Sequence, residues 1–180
     1  MEPITLLNSA QFNLTLNRLC QEIIEHYDTG EECVIIGLQP RGIQLGRRIV
    51  QHLENIESSL AIKYGEIDVS LYRDDFRRRE VVTMKESKMD FIIEDKRVIL
   101  VDDVLYTGRT IRAGLDAILD YGRPKEVQLL VLIDRRFSRQ LPIEAKYIGK
   151  KVDSIASQKV SVEWKDSEGE DKVMLFTEKE

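Results

Sequence analysis

The sequence predicts an α/β fold in which a central, mainly parallel sheet is flanked by helices. Two short, continuously apolar runs, residues 33–36 (CVII) and 98–101 (VILV), are typical of strands covered on both faces. The second run is followed by an amphipathic segment at 110–121 and by a third apolar run at 127–133. A strand, a helix and a strand in this order indicate a right-handed parallel crossover.

Helices are predicted on both sides of the first apolar run. The first helix begins at a cap, Ser9, and stops before Gly30. Its apolar side chains recur at helical spacing, at Phe12, Leu16, Leu19, Ile23 and Tyr27. A second helix covers residues 42–52. The amphipathic segment at 110–121 is a further helix whose apolar face uses Ile111, Leu115, Ile118 and Leu119.

The segment before the second apolar run has a different pattern. Ile67, Val69 and Leu71 alternate with polar residues, which predicts a strand with one wetter face. From residue 73 to residue 97, basic and acidic side chains are mixed and the apolar positions lack a steady period. We interpret residues 73–97 as a long mobile loop or hairpin.

The end of the chain is predicted to form a hairpin. Val160, Val162 and Trp164 alternate with polar residues before a turn at 167–169, after which the alternation resumes. No repeat, low-complexity tract or linker divides the sequence, so residues 1–180 are expected to form a single domain.

The composition limits the class of protein. Of the 180 residues, 42% are hydrophobic and 33% are charged, and the formal net charge of −5 argues against a uniformly basic nucleic-acid binder. A local basic patch remains compatible with this charge. No apolar run approaches the ~20 residues that span a bilayer, and the N-terminus lacks the pattern of a secretory signal, so a cytoplasmic protein without membrane contact is expected. Cys20 and Cys33 are expected to be reduced core residues.

The chemistry is concentrated in residues 98–110, VILVDDVLYTGRT. In a parallel sheet, ligands bind beyond the carboxyl ends of the strands, where Asp102 and Asp103 are predicted to lie. Gly108 lets the backbone approach a ligand, Thr107 adds a hydroxyl donor, and the free amides of the following helix attract an anion. The segment therefore predicts a phosphate cradle beside two carboxylates that accept hydrogen bonds from a diol, a combination that fits ribose-5-phosphate.

An acidic pair at the end of a strand is compatible with two other interpretations. An isolated pair such as Asp102 and Asp103 more often caps a loop, but here an apolar strand, the pair, a glycine and threonines occur within thirteen residues. A receiver-type fold also places acidic residues at strand ends. Its acidic pair usually lies near the N-terminus, and it lacks the Thr-Gly-X-Thr opening of the helix.

Residues 98–110 resemble the signature of type I phosphoribosyltransferases for 5-phosphoribosyl-1-pyrophosphate (PRPP). A second segment, GLQPRG at 37–42, is similar to the loop that contacts the pyrophosphate in that family, although an ordinary strand-to-helix turn would look alike. Arg41 in this segment offers a bidentate fork to a diphosphate. The resemblance implies a type I phosphoribosyltransferase fold with a flexible loop and a C-terminal hood.

A closer similarity, spanning nearly the whole chain, is to the PyrR family of pyrimidine operon attenuators and uracil phosphoribosyltransferases. It rests on GEIDVSLYRDD at 65–75, VDDVLYTGRTIRAGLDAILDYGRP at 101–124 and LPIEAKYIGKKV at 141–152. The resemblance implies that uracil and PRPP form UMP and pyrophosphate, that PRPP carries Mg²⁺, and that the chain forms a homo-oligomer. It also implies that the segment after Arg73 closes over PRPP and that Arg135 belongs to a hood over the base.

These inferences define the candidate site. The candidate catalytic residues are Asp102, Asp103 and Arg41; no residue is assigned as a direct Mg²⁺ ligand, and the two aspartates would act on the ion through water. The candidate PRPP and UMP contacts are Pro40, Arg41, Gly42, Arg73, Asp102, Asp103, Leu105, Tyr106, Thr107, Gly108, Arg109, Thr110 and Arg135. Arg135 is also compatible with a surface ion pair. The two histidines lie near helix ends and are left out of the site.

The same resemblance implies a second function, UMP-responsive RNA binding that regulates pyrimidine genes. Side chains that are candidate contacts to a pyrimidine-operon leader RNA, and equally compatible with a solvated surface, are Arg18, Arg139, Lys150 and Lys159. Four positions depart from the family pattern and remove hydrogen-bonding or cationic groups: Asn17, Gln21, Phe137 and Glu144. An acidic side chain in place of a cation opposes a phosphate backbone. A purine phosphoribosyltransferase is a third alternative, because the PRPP motif does not name the base, but the flanking segments disfavour it.

Overall fold

The computed structural model describes residues 3–27, 32–74 and 85–177. In chain order they form β1 (Ile4–Leu7), α1 (Ser9–Glu25), β2 (Cys33–Leu38), α2 (Gly42–Ile56), β3 (Ile62–Ile67), β4 (Arg97–Leu105), α3 (Arg109–Ile118), β5 (Glu126–Arg135), β6 (Tyr147–Val152), β7 (Gln158–Glu163), α4 (Lys165–Glu168) and β8 (Lys172–Thr177). None of these helices is long and apolar enough to cross a membrane.

Five strands form the central sheet in the order β3-β2-β4-β5-β6, and every neighbouring pair runs parallel. This arrangement confirms the predicted α/β fold. The unit β4-α3-β5 is the predicted strand, helix and strand crossover. Because the five strands are parallel, their carboxyl ends share one edge, and ligands bind at such edges.

Alternate side chains of the strands fill two cores. In β2, Cys33 and Ile35 belong to the core shared with α1 and α2, whereas Val34 and Ile36 belong to the core shared with α3. Both faces of the strand are therefore covered, which is why its apolar run is continuous rather than alternating.

The C-terminal strands β7 and β8 form the predicted hairpin. β1 pairs with β8 and completes a three-stranded antiparallel sheet, a pairing that was not predicted. Trp164, at the end of β7, is buried and packs edge-on against Phe12 of α1 with 5.6 Å between ring centroids. Arg48 of α2 lies over the same indole. The small sheet is thereby attached to the α1 and α2 side of the domain.

The alternation at 67–71 predicted a strand, and this prediction is wrong. β3 spans Ile62–Ile67, and Ser70–Tyr72 form a 3₁₀ turn. Asp68 closes this turn, because its Oδ1 accepts a hydrogen bond from the amide two residues later at 2.9 Å. The alternation of apolar residues extends beyond β3 because Val69, although it lies outside the strand, is buried.

Helix boundaries also differ from the prediction. Asn8, not Ser9, caps α1: its side-chain oxygen accepts from the Gln11 amide at 2.9 Å, and the Gln11 side chain accepts from the Asn8 amide at 3.0 Å. Leu115 of α3 and Leu119, which follows α3 in a 3₁₀ turn, were predicted on the apolar face but are 37% and 60% exposed. Small residues of α3 face the sheet instead.

The predicted loop at 73–97 is described only in part, since residues 75–84 lie outside the described residues. Its described C-terminal part contacts the edge strand β3 through an antiparallel bridge between Lys88 and Glu66.

Both cysteines are free and buried, as predicted. Burial raises the pKa of the Cys20 thiol to about 12 and that of the Cys33 thiol to about 11. At neutral pH neither thiol is a nucleophile, because the thiolate is the reactive form.

Candidate active site

Asp102 and Asp103 lie within β4 rather than after it, because the strand continues to Leu105. Successive residues of a strand point to opposite faces of the sheet. Asp102 lines a cavity on the α3 side, whereas Asp103 meets Arg41 on the α2 side. Asp102 therefore faces the cavity and Asp103 faces Arg41, a separation that was not predicted from the sequence.

Burial raises the pKa of Asp102 well above its ordinary value, and the charge of Asp103 raises it further. The Asp103 amide, which donates to Asp102 Oδ1 at 2.9 Å, opposes this rise, as do the charges of Arg73 and Arg41. Asp102 consequently retains a proton more readily than an exposed aspartate does. A hydroxyl donor or a cation brought by a ligand would favour its ionised form.

Arg41 precedes α2 and contacts the acidic pair directly. Its Nε donates to Asp103 Oδ2 at 2.7 Å, and its Nη2 donates to the carbonyl of Val162 in β7. A Cβ on Gly42 would lie 2.2 Å from the carbonyl oxygen of Val101. Only glycine therefore lets the loop at 37–42 approach β4 closely enough to place Arg41 on Asp103. Pro40, exposed in the same loop, follows a cis peptide bond.

A cavity of about 430 Å³ opens beside Asp102. It brings together eight of the candidate substrate contacts: Arg73, Asp102, Leu105, Tyr106, Thr107, Gly108, Arg109 and Thr110. A larger, more open groove of about 880 Å³ at the edge strand β3 contains none of them. We assign the site to the smaller cavity because it alone of the two contains a residue of the acidic pair.

The loop that enters α3 has the features of an anion site. Gly108 adopts the left-handed conformation with φ 94°, which glycine adopts without strain. It precedes α3 without a side-chain cap, and the Arg109 amide makes only a long 3.4 Å contact to Thr107 Oγ1. The first amides of α3 are therefore available to donate to a phosphate.

Two arginines add positive charge around this loop. Arg73 lines the cavity, and its Nη1 lies 3.4 Å from Thr110 Oγ1. Arg109 donates to Asp74 at 3.0 Å and to Gln140 at 2.9 Å. The guanidinium of Arg109 is thus engaged at the rim, whereas its backbone begins the phosphate-binding turn.

Arg135 lies behind the cavity wall and is only 5% exposed, so it is not a surface residue. Its guanidinium lies 4.0 Å from the centroid of the Tyr106 ring. Its Nε donates to Ser154 Oγ at 2.8 Å, and its Nη2 donates to the carbonyls of Gln158 at 2.7 Å and Ile155 at 3.2 Å. The donors of Arg135 therefore face residues 154–158, and its flat face meets Tyr106.

The segment between β5 and β6 adds contacts that were not predicted. Arg139 donates to the Tyr106 carbonyl at 2.6 Å and pairs with Asp134, while the Gln140 amide donates to the Thr107 carbonyl at 3.0 Å. Gln140 also lines the cavity. This segment is irregular in sequence, so no periodicity or motif indicated that it packs against the phosphate loop.

Comparison with known proteins identifies the family. A family model described as phosphoribosyl transferase domain matches residues 5–167. The Bifunctional protein PyrR of Clostridioides difficile (strain 630) is 43% identical over 176 residues, which cover 97% of this chain and 98% of that protein. The protein of the same name from Bacillus subtilis (strain 168) is 41% identical over 174 residues, which cover 95% of each chain. The chain belongs to the PyrR family.

Solved structures share the fold at much lower identity. A hypoxanthine phosphoribosyltransferase from Staphylococcus aureus has a TM-score of 0.72 and 20% identity, covering 97% of this chain and 92% of that one. A hypoxanthine-guanine phosphoribosyltransferase from Bacillus anthracis has a TM-score of 0.72 and 18% identity, covering 98% and 99%. These likenesses establish the phosphoribosyltransferase fold for this PyrR family member and do not specify its base.

The RNA-contact candidates of this PyrR family member divide into separate regions. Arg18 of α1 donates to the carbonyls of Ile148 at 2.9 Å and Gly149 at 2.6 Å in β6. Lys150, also in β6, donates to the Leu6 carbonyl at 2.8 Å. Arg139 instead donates to the carbonyl of Tyr106, a residue of the cavity wall, and Lys159 is exposed on β7. The four positions that depart from the family pattern are all exposed: Asn17, Gln21, Phe137 and Glu144.

Proposed function

We propose that this protein is a uracil phosphoribosyltransferase that forms UMP and pyrophosphate from uracil and PRPP. The observation that carries the proposal is that one cavity contains both Asp102 and the uncapped start of α3. Their combination with a PyrR-family sequence over nearly the whole chain favours uracil as the base.

In the proposed complex, the loop at 107–110 and the first amides of α3 hold the 5-phosphate. The carboxylate of Asp102 accepts hydrogen bonds from the ribose hydroxyls, which add to the one donated by the Asp103 amide. Arg41 and Arg73 approach the pyrophosphate with positive charge. Leu105 and Tyr106 contribute to the wall beside the sugar, since both line the cavity.

PRPP is proposed to bring Mg²⁺ with it. No group of three or more His, Cys, Asp or Glu side chains that could hold a metal ion occurs among residues 3–27, 32–74 and 85–177. The acidic pair therefore fits an ion held mainly by ligand oxygens and water, with Asp102 and Asp103 in its outer sphere. The bound ion would supply positive charge to the leaving pyrophosphate.

The reaction needs no covalent nucleophile from the protein. As the bond to pyrophosphate breaks, positive charge develops on the ribose and negative charge on the leaving group, with inversion at the anomeric carbon. The buried carboxylates and the arginines are arranged to stabilise these two charges, and such preorganised charges act strongly where water is excluded. Closure of the predicted loop after Arg73 would exclude the water that otherwise hydrolyses the sugar.

The direct test is a panel of bases with PRPP and Mg²⁺. Uracil, hypoxanthine, guanine, adenine and orotate are supplied separately, and nucleotide formation is measured for each. We expect UMP to form fastest. Faster turnover of hypoxanthine, guanine or adenine would contradict the assignment to uracil.

UMP-responsive binding of a pyrimidine-operon leader RNA is the second candidate function. One observation favours it: the family relatives are named bifunctional. Arg18 and Lys150 lie on neighbouring elements, α1 and β6, where both donate to backbone carbonyls. Glu144 and Phe137 are exposed and lack the cationic or hydrogen-bonding groups of the family pattern. Regulation is therefore proposed as subordinate to catalysis in this chain. A cytoplasmic location, a single domain and a homo-oligomeric state stay predictions.

A further inference from the structure

Arg135 and Tyr106 are neighbours because of the sheet register. β4 and β5 are parallel, with Leu105 opposite Asp134, so Tyr106, just beyond β4, lies beside Arg135, the last residue of β5. The Arg135 guanidinium lies over the Tyr106 ring at 4.0 Å, a distance at which a cation and a ring face attract each other. Tyr106 is 38% exposed and lines the cavity.

The edge of the guanidinium is bound to residues 154–158. Three hydrogen bonds reach this segment, to Ser154 Oγ and to the carbonyls of Ile155 and Gln158. A planar guanidinium is suited to this arrangement, because its donors lie at the edge while its face remains available for stacking. Arg135 thus joins two segments that share no regular pairing.

A second set of contacts holds the backbone of Tyr106 and Thr107. Arg139 donates to the Tyr106 carbonyl at 2.6 Å, and the neighbouring Thr107 carbonyl accepts from the Gln140 amide at 3.0 Å. The side chain of Tyr106 is therefore held by the end of β5, and its backbone by the chain that follows β5. Since Tyr106 directly precedes the phosphate-binding turn, its position sets where that turn begins.

We propose that Arg135 is a positioning residue for PRPP, which acts through the Tyr106 ring and couples residues 154–158 to the phosphate loop without contacting the substrate. The inference rests on the proposed PRPP site but not on the identity of the base. It assigns to Arg135 a role different from the direct nucleotide contact that family resemblance implied.

The test measures the Kd for PRPP with Mg²⁺ by calorimetry without any base, and KM and kcat with uracil. We expect Arg135→Met to raise the Kd and the KM for PRPP about tenfold, a ratio that corresponds to about 1.4 kcal/mol. We expect kcat to fall less than about threefold, because the lost interaction positions the bound sugar phosphate rather than the transition state.

The deciding measurement is the double variant. If Arg135 acts through the ring, Arg135→Met combined with Tyr106→Leu should bind PRPP no more weakly than Tyr106→Leu alone. Multiplied losses in the double variant, or an unchanged Kd in Arg135→Met, would overturn the proposal. Arg136→Met is the matched control, because Arg136 is the next residue, also lies over a ring, that of Phe137, and is exposed.

Folding and base identity are controlled separately. If Arg135→Met has a lower Tm than Arg136→Met by more than a few degrees, Arg135→Lys and Ser154→Ala replace it under the same criterion, since each weakens one end of the connection. Normal PRPP binding without UMP formation in the unmodified protein would reject uracil transfer alone and leave the Kd comparison valid.

Discussion

Arg41 Nε donates to Asp103 Oδ2 at 2.7 Å, joining the loop that enters α2 to the acidic strand β4. The carboxylate of Asp103 is buried, whereas the side chain of Arg41 is 45% exposed. A cation that reaches from solvent to a buried anion can neutralise it and still present other donors outward. This relationship links the predicted pyrophosphate loop to the predicted ribose site.

Replacing Arg41 should impair catalysis more than folding. Arg41→Lys retains the charge but loses the planar fork, so we expect kcat/KM for PRPP to fall at least about tenfold. Steady-state kinetics with varied PRPP measure this. Arg47→Lys is the control, because Arg47 lies on α2, the helix that Arg41 precedes, and pairs with Glu66 away from the cavity. Equal effects of both substitutions would contradict a specific role for Arg41.

Removing both carboxylates should greatly reduce transfer without unfolding the domain. Asp102→Asn with Asp103→Asn keeps the size of the side chains but removes the charge that faces the ribose diol and Arg41. We expect UMP formation to fall at least about a hundredfold, in the range typical of losing preorganised charge. Near-normal turnover, with unchanged circular dichroism, would return these residues to a structural role.

The free protein should gain stability from Asp102→Asn at neutral pH. Because the pKa of Asp102 is raised on folding, the native state binds more protons than the unfolded chain between the two pKa values, and stability falls as pH rises through that interval. Asparagine removes this penalty. We expect a higher Tm for the variant at pH 7.5 and a difference that shrinks toward pH 4, measured by calorimetry without ligand. A variant less stable at every pH would contradict the raised pKa.

Limited trypsin digestion tests the predicted closing loop. Residues 77–88 contain several Lys and Arg residues, and the sequence predicts that they are cut first. PRPP with Mg²⁺ should slow this cleavage. Mass spectrometry of the fragments identifies the sites, with pyrophosphate alone as a ligand control. Equal rates with and without PRPP would argue against closure.

Leader RNA should bind more weakly to this chain than to PyrR relatives that retain the usual α1 and hood residues. Glu144→Arg should strengthen binding and steepen the salt dependence by about one unit of log-log slope, since it adds one phosphate contact. Affinity is measured with and without UMP at several salt concentrations. Glu170→Arg, a charge reversal at an exposed residue beyond β7, is the control for net charge. Tight, UMP-enhanced binding by the unmodified protein would place regulation beside catalysis.

The sequence alone determined the local features of this protein. The continuous apolar runs predicted strands buried on both faces, because a central parallel strand has no polar face to alternate with. The order of residues in 98–110 predicted the acidic pair and the phosphate loop, because those functions depend on backbone conformation and on residues adjacent in the chain. Family similarity then named the chemistry.

Only the tertiary structure decided which distant residues share the site. Strand pleating separates Asp102 from Asp103, so that one lines the cavity and the other binds Arg41. The register between β4 and β5 places Arg135 on Tyr106. These contacts join segments far apart in the chain, and no periodicity encodes them, because each depends on how strands pair and on which face each side chain emerges.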